Sequence, residues 1–128
     1  MPGYTYDHIH LRSADNEATA EYYRTMFGAE ISEGVQADGQ TRYDVDINGL
    51  RILISRVFKG EDPLPGLSES HLGLDHFGLR VDDLDEAAAE LKRLGAEFTV
   101  EPHTVASGSK IAFVRGPDGV RIELVERS

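Results

Sequence analysis

The chain contains one long internal repeat, and this repeat constrains the fold more than any other feature. The segment Asp7-His8-Ile9-His10-Leu11-Arg12 returns as Asp75-His76-Phe77-Gly78-Leu79-Arg80, 68 residues later. In both copies a Gly-Ala-Glu turn follows, and then a last segment entered through glycine, at offsets of 67 and 70 residues. Solenoid repeats recur at about 20–50 residues and need several copies. Two copies at this longer spacing therefore indicate a duplicated module.

Each copy predicts the same order of elements, one strand, one helix and three strands. Asp15 and Asp83 stand at N-cap positions, and Gly28 and Gly95 follow the two helical patterns. In the first copy we predict a strand at 5–13, a helix at 16–27, and strands at 29–36, 41–47 and 50–57. In the second we predict a strand at 74–81, a helix at 83–94, and strands at 97–101, 109–115 and 119–126.

This order predicts an α+β fold built from two βαβββ modules. Module one covers about 5–57, a connector about 58–72, and module two about 73–128. At 128 residues the chain is expected to form a single domain, 1–128. The two modules are predicted to pair into a curved, partly open mixed β-sheet or barrel. Helices on the outside would leave a concave groove that can hold a ligand.

Composition argues against several classes of function. The formal charge of −10 repels phosphate backbones and anionic membranes, so we expect no nucleic-acid partner and no membrane partner. No apolar run approaches the roughly 20 residues of a membrane span. The chain has no cysteine, which excludes thiolate metal sites and cysteine nucleophiles. We expect a cytoplasmic protein.

A metal site is predicted from the alternation of side chains along strands. His8 and His76 open their modules, and Glu123 lies on the last strand of module two. If Ile122 and Leu124 pack under the helix, Glu123 faces the groove with both histidines. Two imidazoles and one carboxylate suit Fe(II), Mn(II), Ni(II), Co(II) or Zn(II). Three protein ligands would leave positions open for catalysis.

The chain resembles the vicinal oxygen chelate superfamily, also called the glyoxalase, bleomycin-resistance and dioxygenase group. The resemblance rests on Asp-His-hydrophobic at 7–9 and 75–77 and on the ending Gly116-Pro117-Asp118-Gly119-Val120-Arg121-Ile122-Glu123-Leu124. It implies that His8, His76 and Glu123 are metal ligands and that the protein forms a homodimer. Leu53 stands where glyoxalase I and methylmalonyl-CoA epimerase carry a fourth ligand. The remaining set resembles extradiol dioxygenases and fosfomycin-resistance transferases.

Other residues are candidates for catalysis or substrate binding. His10 shares a face with His8 and is a candidate base, substrate contact, ligand support or plain groove residue. His103 in a predicted loop is a candidate acid–base group or a solvated histidine. Arg51 and Arg121, together with Leu53, would line the substrate groove. The arginines would either hold an anionic substrate or pair with nearby carboxylates.

The sequence therefore predicts a divalent-metal-dependent enzyme whose small-molecule substrate chelates the metal through two vicinal oxygens. An extradiol-type dioxygenase is one form of this hypothesis. A glyoxalase-like lyase or isomerase and a fosfomycin-type transferase would use the same three ligands. The alternative from another class is a metal-free protein that binds an antibiotic or similar molecule in the groove.

Overall fold

The structure is a computed structural model that describes residues 2–66 and 70–128. The chain divides into two compact units, Met1–Pro63 and Leu64–Ser128. The boundary falls inside the connector predicted at 58–72, and residues 67–69 of that connector lie outside the described residues. The two units correspond to the two copies of the repeat.

Unit 1 contains one helix on a four-stranded mixed sheet. Its elements are β1 (Ile9–Arg12), α1 (Asn16–Phe27), β2 (Glu30–Val35), β3 (Thr41–Ile47) and β4 (Leu50–Ser55). The strand order is β1-β4-β3-β2, with β1 parallel to β4 and the other pairs antiparallel. The first and last strands of the module are therefore neighbours.

Unit 2 repeats this topology. Its elements are β5 (Phe77–Arg80), α2 (Leu84–Arg93), β6 (Glu97–Thr104), β7 (Lys110–Arg115), a short 3-10 turn (Pro117–Gly119) and β8 (Arg121–Glu126). The strand order is β5-β8-β7-β6, and β5 is again parallel to β8. The α+β class and the two βαβββ modules predicted from the repeat are confirmed.

Both helices begin and end as their sequences predict. The carboxylate of Asp15 accepts a hydrogen bond from the backbone N–H of Ala18, and that of Asp83 accepts one from Glu86. Gly28 ends α1 in the left-handed conformation, with φ of 69°. None of the helices among the described residues is long and apolar enough to cross a membrane.

Each helix covers the apolar face of its own sheet. Ile52 and Ile54 on β4 are fully buried in unit 1, as are Ile122 and Leu124 on β8 in unit 2. Because strand side chains alternate, the residues between them point to the opposite face. That second face carries Leu53 in unit 1 and Glu123 in unit 2.

Three strands differ clearly in length from their predictions. The strands predicted at 5–13 and 74–81 are shorter, β1 (Ile9–Arg12) and β5 (Phe77–Arg80), so that His8 and His76 immediately precede them, whereas β6 is longer. β6 extends to Thr104, whereas the sequence predicted its end near residue 101, and His103 therefore lies in a strand and not in a loop. Pro102 interrupted the predicted strand because proline lacks the N–H that a ladder requires. β6 is an edge strand, where proline is tolerated, and its pairing with β7 shifts register between Val100 and His103.

Candidate metal centre

In unit 2 the strand pairing brings two of the predicted ligands together. Gly78 on β5 lies beside Glu123 on β8, and His76 immediately precedes β5. Nε2 of His76 lies 3.3 Å from Oε1 of Glu123. A Cβ on Gly78 would stand 3.4 Å from the same oxygen, so glycine at this position leaves room for the carboxylate. The result is one imidazole nitrogen and one carboxylate oxygen at the same place.

The other nitrogen of His76 is held by a carboxylate. Nδ1 lies 2.7 Å from Oδ2 of Asp75, and Nη1 of Arg121 donates to the same oxygen. The hydrogen bond from His76, and then the Arg121 guanidinium, lower the pKa of Asp75 against the opposing effect of its desolvation. Asp75 is therefore ionised at neutral pH, and an ionised carboxylate only accepts hydrogen bonds.

An aromatic ring completes this cluster. The guanidinium of Arg121 lies 4.4 Å from the centroid of Phe113, and the ring of His76 meets Phe113 edge-on at 5.0 Å. Phe113 is buried and pairs with Glu123 across β7 and β8. The guanidinium of Arg121 thus contacts both Asp75 and Phe113, and its role in substrate binding stays a prediction.

Unit 1 also contains a histidine whose Nδ1 is held by the preceding aspartate. Nδ1 of His8 lies 2.7 Å from Oδ2 of Asp7, and the His8 side chain is 39% exposed. The hydrogen bond from His8 is the main reason that the pKa of Asp7 is lowered. Arg51, which matches Arg121 in the repeat, extends instead towards Asp44, with 3.4 Å between Nη2 and Oδ2. His8 and His76 therefore share their carboxylate support but differ in what holds that carboxylate.

Leu53 occupies the position that Glu123 has in the other unit. β1 and β4 place His10 beside Leu53, just as β5 and β8 place Gly78 beside Glu123. Leu53 is buried, with 8% of its surface exposed. An alkyl side chain cannot coordinate a metal, so unit 1 offers His8 without an adjacent carboxylate ligand at this position.

His10 is bonded within unit 1. Its Nε2 lies 2.6 Å from Oγ of Ser55, a residue that is only 2% exposed. Partial burial, followed by the charge of Arg12, lowers the pKa of His10 below its usual 6.5. His10 is therefore a neutral imidazole at pH 7, with one ring nitrogen fixed by a hydroxyl.

The structure does not bring His103 into the cluster of His76 and Glu123. His103 pairs with Ile111 across β6 and β7, and β7 separates its strand from Glu123 on β8. Its side chain is exposed, and Nδ1 lies 3.0 Å from the carbonyl oxygen of Glu101. Its acid–base role stays a prediction.

The donors of unit 2 fit a divalent metal in kind. Within residues 2–66 and 70–128, no three side chains from His, Asp and Glu converge closely enough to hold an ion. His76 and Glu123 supply a nitrogen and a hard oxygen, a combination that suits divalent transition metals. His8 in unit 1 has the same carboxylate support as His76, and its role as a ligand stays a prediction.

Four residues of the two sites were not predicted from the sequence. Asp7 and Asp75 recur as part of the repeated Asp-His pair, and that recurrence was the available indication of a shared role. Phe113 and Ser55 carried no such indication, because a buried aromatic and a strand serine are common core and strand residues. Their contacts depend on pairing between strands that are distant in sequence.

Comparison with known proteins decides the family. The model of the Glyoxalase/Bleomycin resistance protein/Dioxygenase superfamily matches residues 5–124. The chain belongs to this superfamily. A lactoylglutathione lyase of Escherichia coli O157:H7 is 39% identical over 127 residues, which covers 93% of this chain and 90% of that protein.

Other relatives are larger than this chain. The chain spans 43% of lactoylglutathione lyase GLX1 of Arabidopsis thaliana, to which it is 26% identical, and 16% of a probable chloroplastic lactoylglutathione lyase of that plant. It thus covers less than half of these plant proteins.

Solved structures share the superfamily fold. A glyoxalase family protein from Enterococcus faecalis superposes with a TM-score of 0.74 at 27% identity, covering 93% of this chain and 94% of that chain. FosX, a fosfomycin resistance protein from Listeria monocytogenes, gives a TM-score of 0.72 at 22% identity, covering 97% and 90%. The FosX structure contains Mn(II) and 1S,2S-dihydroxypropylphosphonic acid. At this identity FosX supports the fold alone.

Proposed function

We propose that this protein is a divalent-metal-dependent enzyme in which His8, His76 and Glu123 hold the ion. The observation that carries the proposal is the geometry of His76. Its Nε2 faces Oε1 of Glu123 at 3.3 Å while Asp75 occupies Nδ1. Metal-binding histidines in proteins almost always bond their second nitrogen to a carboxylate, carbonyl or water. His8 has the same support from Asp7.

The substrate in this proposal is a small molecule with two vicinal oxygens. A bound divalent ion supplies positive charge that stabilises negative charge developing on such oxygens. His10 takes up or returns the proton, because its neutral ring lies on the same face of the sheet as His8 and Ser55 fixes its orientation. Arg51, half-exposed on that face, binds an anionic group of the substrate.

We favour lyase or isomerase chemistry, in which a proton moves between adjacent carbons. The lactoylglutathione lyase that is 39% identical over nearly the whole chain supports this class. Leu53 argues against the four-ligand site of glyoxalase I, so we expect a different substrate. Extradiol dioxygenation is the second candidate, because Leu53 leaves one more position for dioxygen than a four-ligand site does.

Metal content tests the proposal directly. Purified protein is supplemented with Fe, Mn, Ni, Co or Zn and its bound metal is measured by elemental analysis. We expect about one ion per chain in the wild type and in the control His71→Ala, whose histidine bonds the carbonyl of Leu74. His76→Ala and Glu123→Gln should lose the ion. A wild type that binds none of the five metals would contradict the proposal and favour the metal-free binding protein.

Two activity assays then separate the reaction classes. A panel of 2-hydroxycarbonyl compounds in D2O reports proton transfer as deuterium incorporation, read by NMR. A panel of catechols, added to anaerobically prepared Fe(II) protein, reports dioxygenation as oxygen uptake. We expect incorporation that depends on metal and falls in His10→Gln. Oxygen uptake without incorporation would replace the lyase proposal with the dioxygenase.

We also propose that the protein is a cytoplasmic homodimer. Light scattering tests the dimer. Co-expression of His8→Ala with Glu123→Gln tests whether the site is shared between chains. A shared site regains about half an ion per chain in the mixed dimer, since one of its two sites is then intact. A site within one chain regains none.

A further inference from the structure

We propose that Asp75, held by Arg121, is the positioning residue that keeps the proton of His76 on Nδ1 and leaves Nε2 free as a ligand. The consequence for metal binding rests on the function proposed above. The tautomer itself does not, because it is a property of unit 2 alone. Neither residue has been placed among the metal ligands.

The argument begins with the two carboxylates on either side of one ring. Nδ1 lies 2.7 Å from Oδ2 of Asp75, within the normal range of a strong N–H···O bond. Nε2 lies 3.3 Å from Oε1 of Glu123, longer than such a bond. A neutral imidazole carries one N–H proton. Because Oδ2 of Asp75 is the nearer of the two carboxylate oxygens, it is the better acceptor for that proton. The lone pair of Nε2 is then directed to the Glu123 side.

Arg121 holds the Asp75 carboxylate in the position where it accepts the proton of Nδ1. It donates to Oδ2 of Asp75, the same oxygen that His76 contacts. Its guanidinium is stacked on Phe113, whose ring also meets the edge of His76. The four side chains therefore form a closed set of contacts, and Asp75 cannot turn away without breaking the ion pair.

Unit 1 provides an internal comparison. Asp7 bonds His8 at the same distance, but its side chain is 80% exposed, against 46% for Asp75. Arg51, the counterpart of Arg121, extends to Asp44 instead. We therefore infer that His76 is set in its ligand tautomer before metal arrives, whereas His8 is held less firmly. Neutralising Asp75 should accordingly matter more than neutralising Asp7.

The tautomer is measured by 15N NMR of the metal-free protein at a pH where the ring of His76 is neutral. We expect the Nδ1–H form in the wild type and in Asp85→Asn. Asp85 is a matched control, since it is a carboxylate of the same unit that accepts a hydrogen bond from Lys110. Asp75→Ala should shift His76 towards the Nε2–H form. A wild-type His76 that carries its proton on Nε2 would overturn the inference, whatever the result for metal.

Metal affinity provides the second measurement. We expect Asp75→Ala to weaken Co(II) or Ni(II) binding by about 10- to 100-fold. Asp7→Ala should weaken metal affinity less, and Asp85→Asn should leave it unchanged. Arg121→Lys keeps the charge but loses the planar stacking, so its metal affinity should lie between those of the wild type and Asp75→Ala. Unchanged affinity in Asp75→Ala would overturn the inference and leave the proposed function standing. A wild type with the Nδ1–H form and no metal affinity would overturn only the proposed function.

Discussion

Leu53 lies directly beside His10 in the parallel pairing of β1 with β4. At the matching place in unit 2, Glu123 lies beside Gly78, which leaves space for the carboxylate. At this pair of positions unit 1 therefore has an imidazole beside an alkyl side chain, whereas unit 2 has a glycine beside a carboxylate.

This relationship predicts how a fourth ligand can be built. Leu53→Glu alone places a carboxylate at a buried position beside an imidazole, and we expect it to cost roughly 2 kcal/mol of unfolding free energy without tightening metal binding. The double variant His10→Gly/Leu53→Glu copies the arrangement of unit 2 and should bind metal more tightly than the wild type. Isothermal titration with Ni(II) measures the metal affinity of the single and the double variant, with His10→Gly as control. Urea unfolding measures the stability of the single variant. Equal tightening in the single variant would contradict this prediction.

Asn16 is predicted to be a major source of stability in unit 1. Its Nδ2 donates to the carbonyl of Thr41 at 2.8 Å and to that of Ile54 at 3.2 Å, which ties the start of α1 to β3 and β4. Asn16→Ala removes both hydrogen bonds of this buried side chain, and we expect a loss of about 2–3 kcal/mol in urea unfolding. Thr25→Ala, exposed on the same helix, should change stability by less than about 0.5 kcal/mol. Similar losses of stability in Asn16→Ala and Thr25→Ala would show that the hydrogen bonds of Asn16 do not contribute as predicted.

The bond between His10 and Ser55 is expected to contribute about 1 kcal/mol to stability. Ser55→Ala removes the hydroxyl that lies 2.6 Å from Nε2. A double-mutant cycle with His10→Ala isolates this contact from other effects of each substitution. We expect a coupling energy of roughly 0.5–1.5 kcal/mol by urea unfolding of the metal-free protein. Additive losses would show that the two side chains do not interact in solution.

Asp38 is predicted to stabilise the start of the connector in a pH-dependent way. Desolvation acts to raise its pKa, but hydrogen bonds from the backbone of Lys59 and from Gln40 lower it overall. A carboxylate whose pKa is lower in the folded state stabilises the protein above its unfolded pKa of about 3.9 and loses this effect as the pH falls through the folded value. Asp38→Asn should therefore be less stable than the wild type at pH 7, with the difference shrinking below about pH 4.

Urea unfolding at several pH values measures this difference. Asp62→Asn, an exposed carboxylate of the same connector, is the matched control and should follow the wild type throughout. A difference between Asp38→Asn and wild type that stays constant from pH 7 into acid would contradict the prediction.

Much of the fold could be predicted because local patterns and long-range packing agree. The cap at Asp83 and the apolar stripe of α2 fixed that helix within one residue at each end. Side-chain alternation also predicts that His76 and Glu123 share one face, and the two side chains lie 3.3 Å apart. The contact between Asp75 and Arg121 could not be predicted, because it depends on the register of β5 against β8 and on rotamers that alternation does not determine.

The position of His103 could not be predicted from local sequence signals. The sequence predicts a loop at Pro102, and a histidine in a loop is free to reach a site. The strand instead continues past the proline because β6 lies at the edge of its sheet, and this fixes His103 opposite Ile111. Whether a proline ends a strand depends on the position of that strand in the sheet, which sequence patterns alone do not give.

The parallel pairing of first and last strands has a consequence for the order of folding. In unit 2, β6, β7 and β8 are consecutive antiparallel neighbours, whereas β5 must find β8 across about 40 intervening residues. Contacts of long sequence separation form late because their loop-closure entropy must be overcome first. His76 and Glu123 should therefore meet only near the end of folding. A metal ion would then slow unfolding while leaving the refolding rate nearly unchanged, as stopped-flow measurements with and without metal can determine.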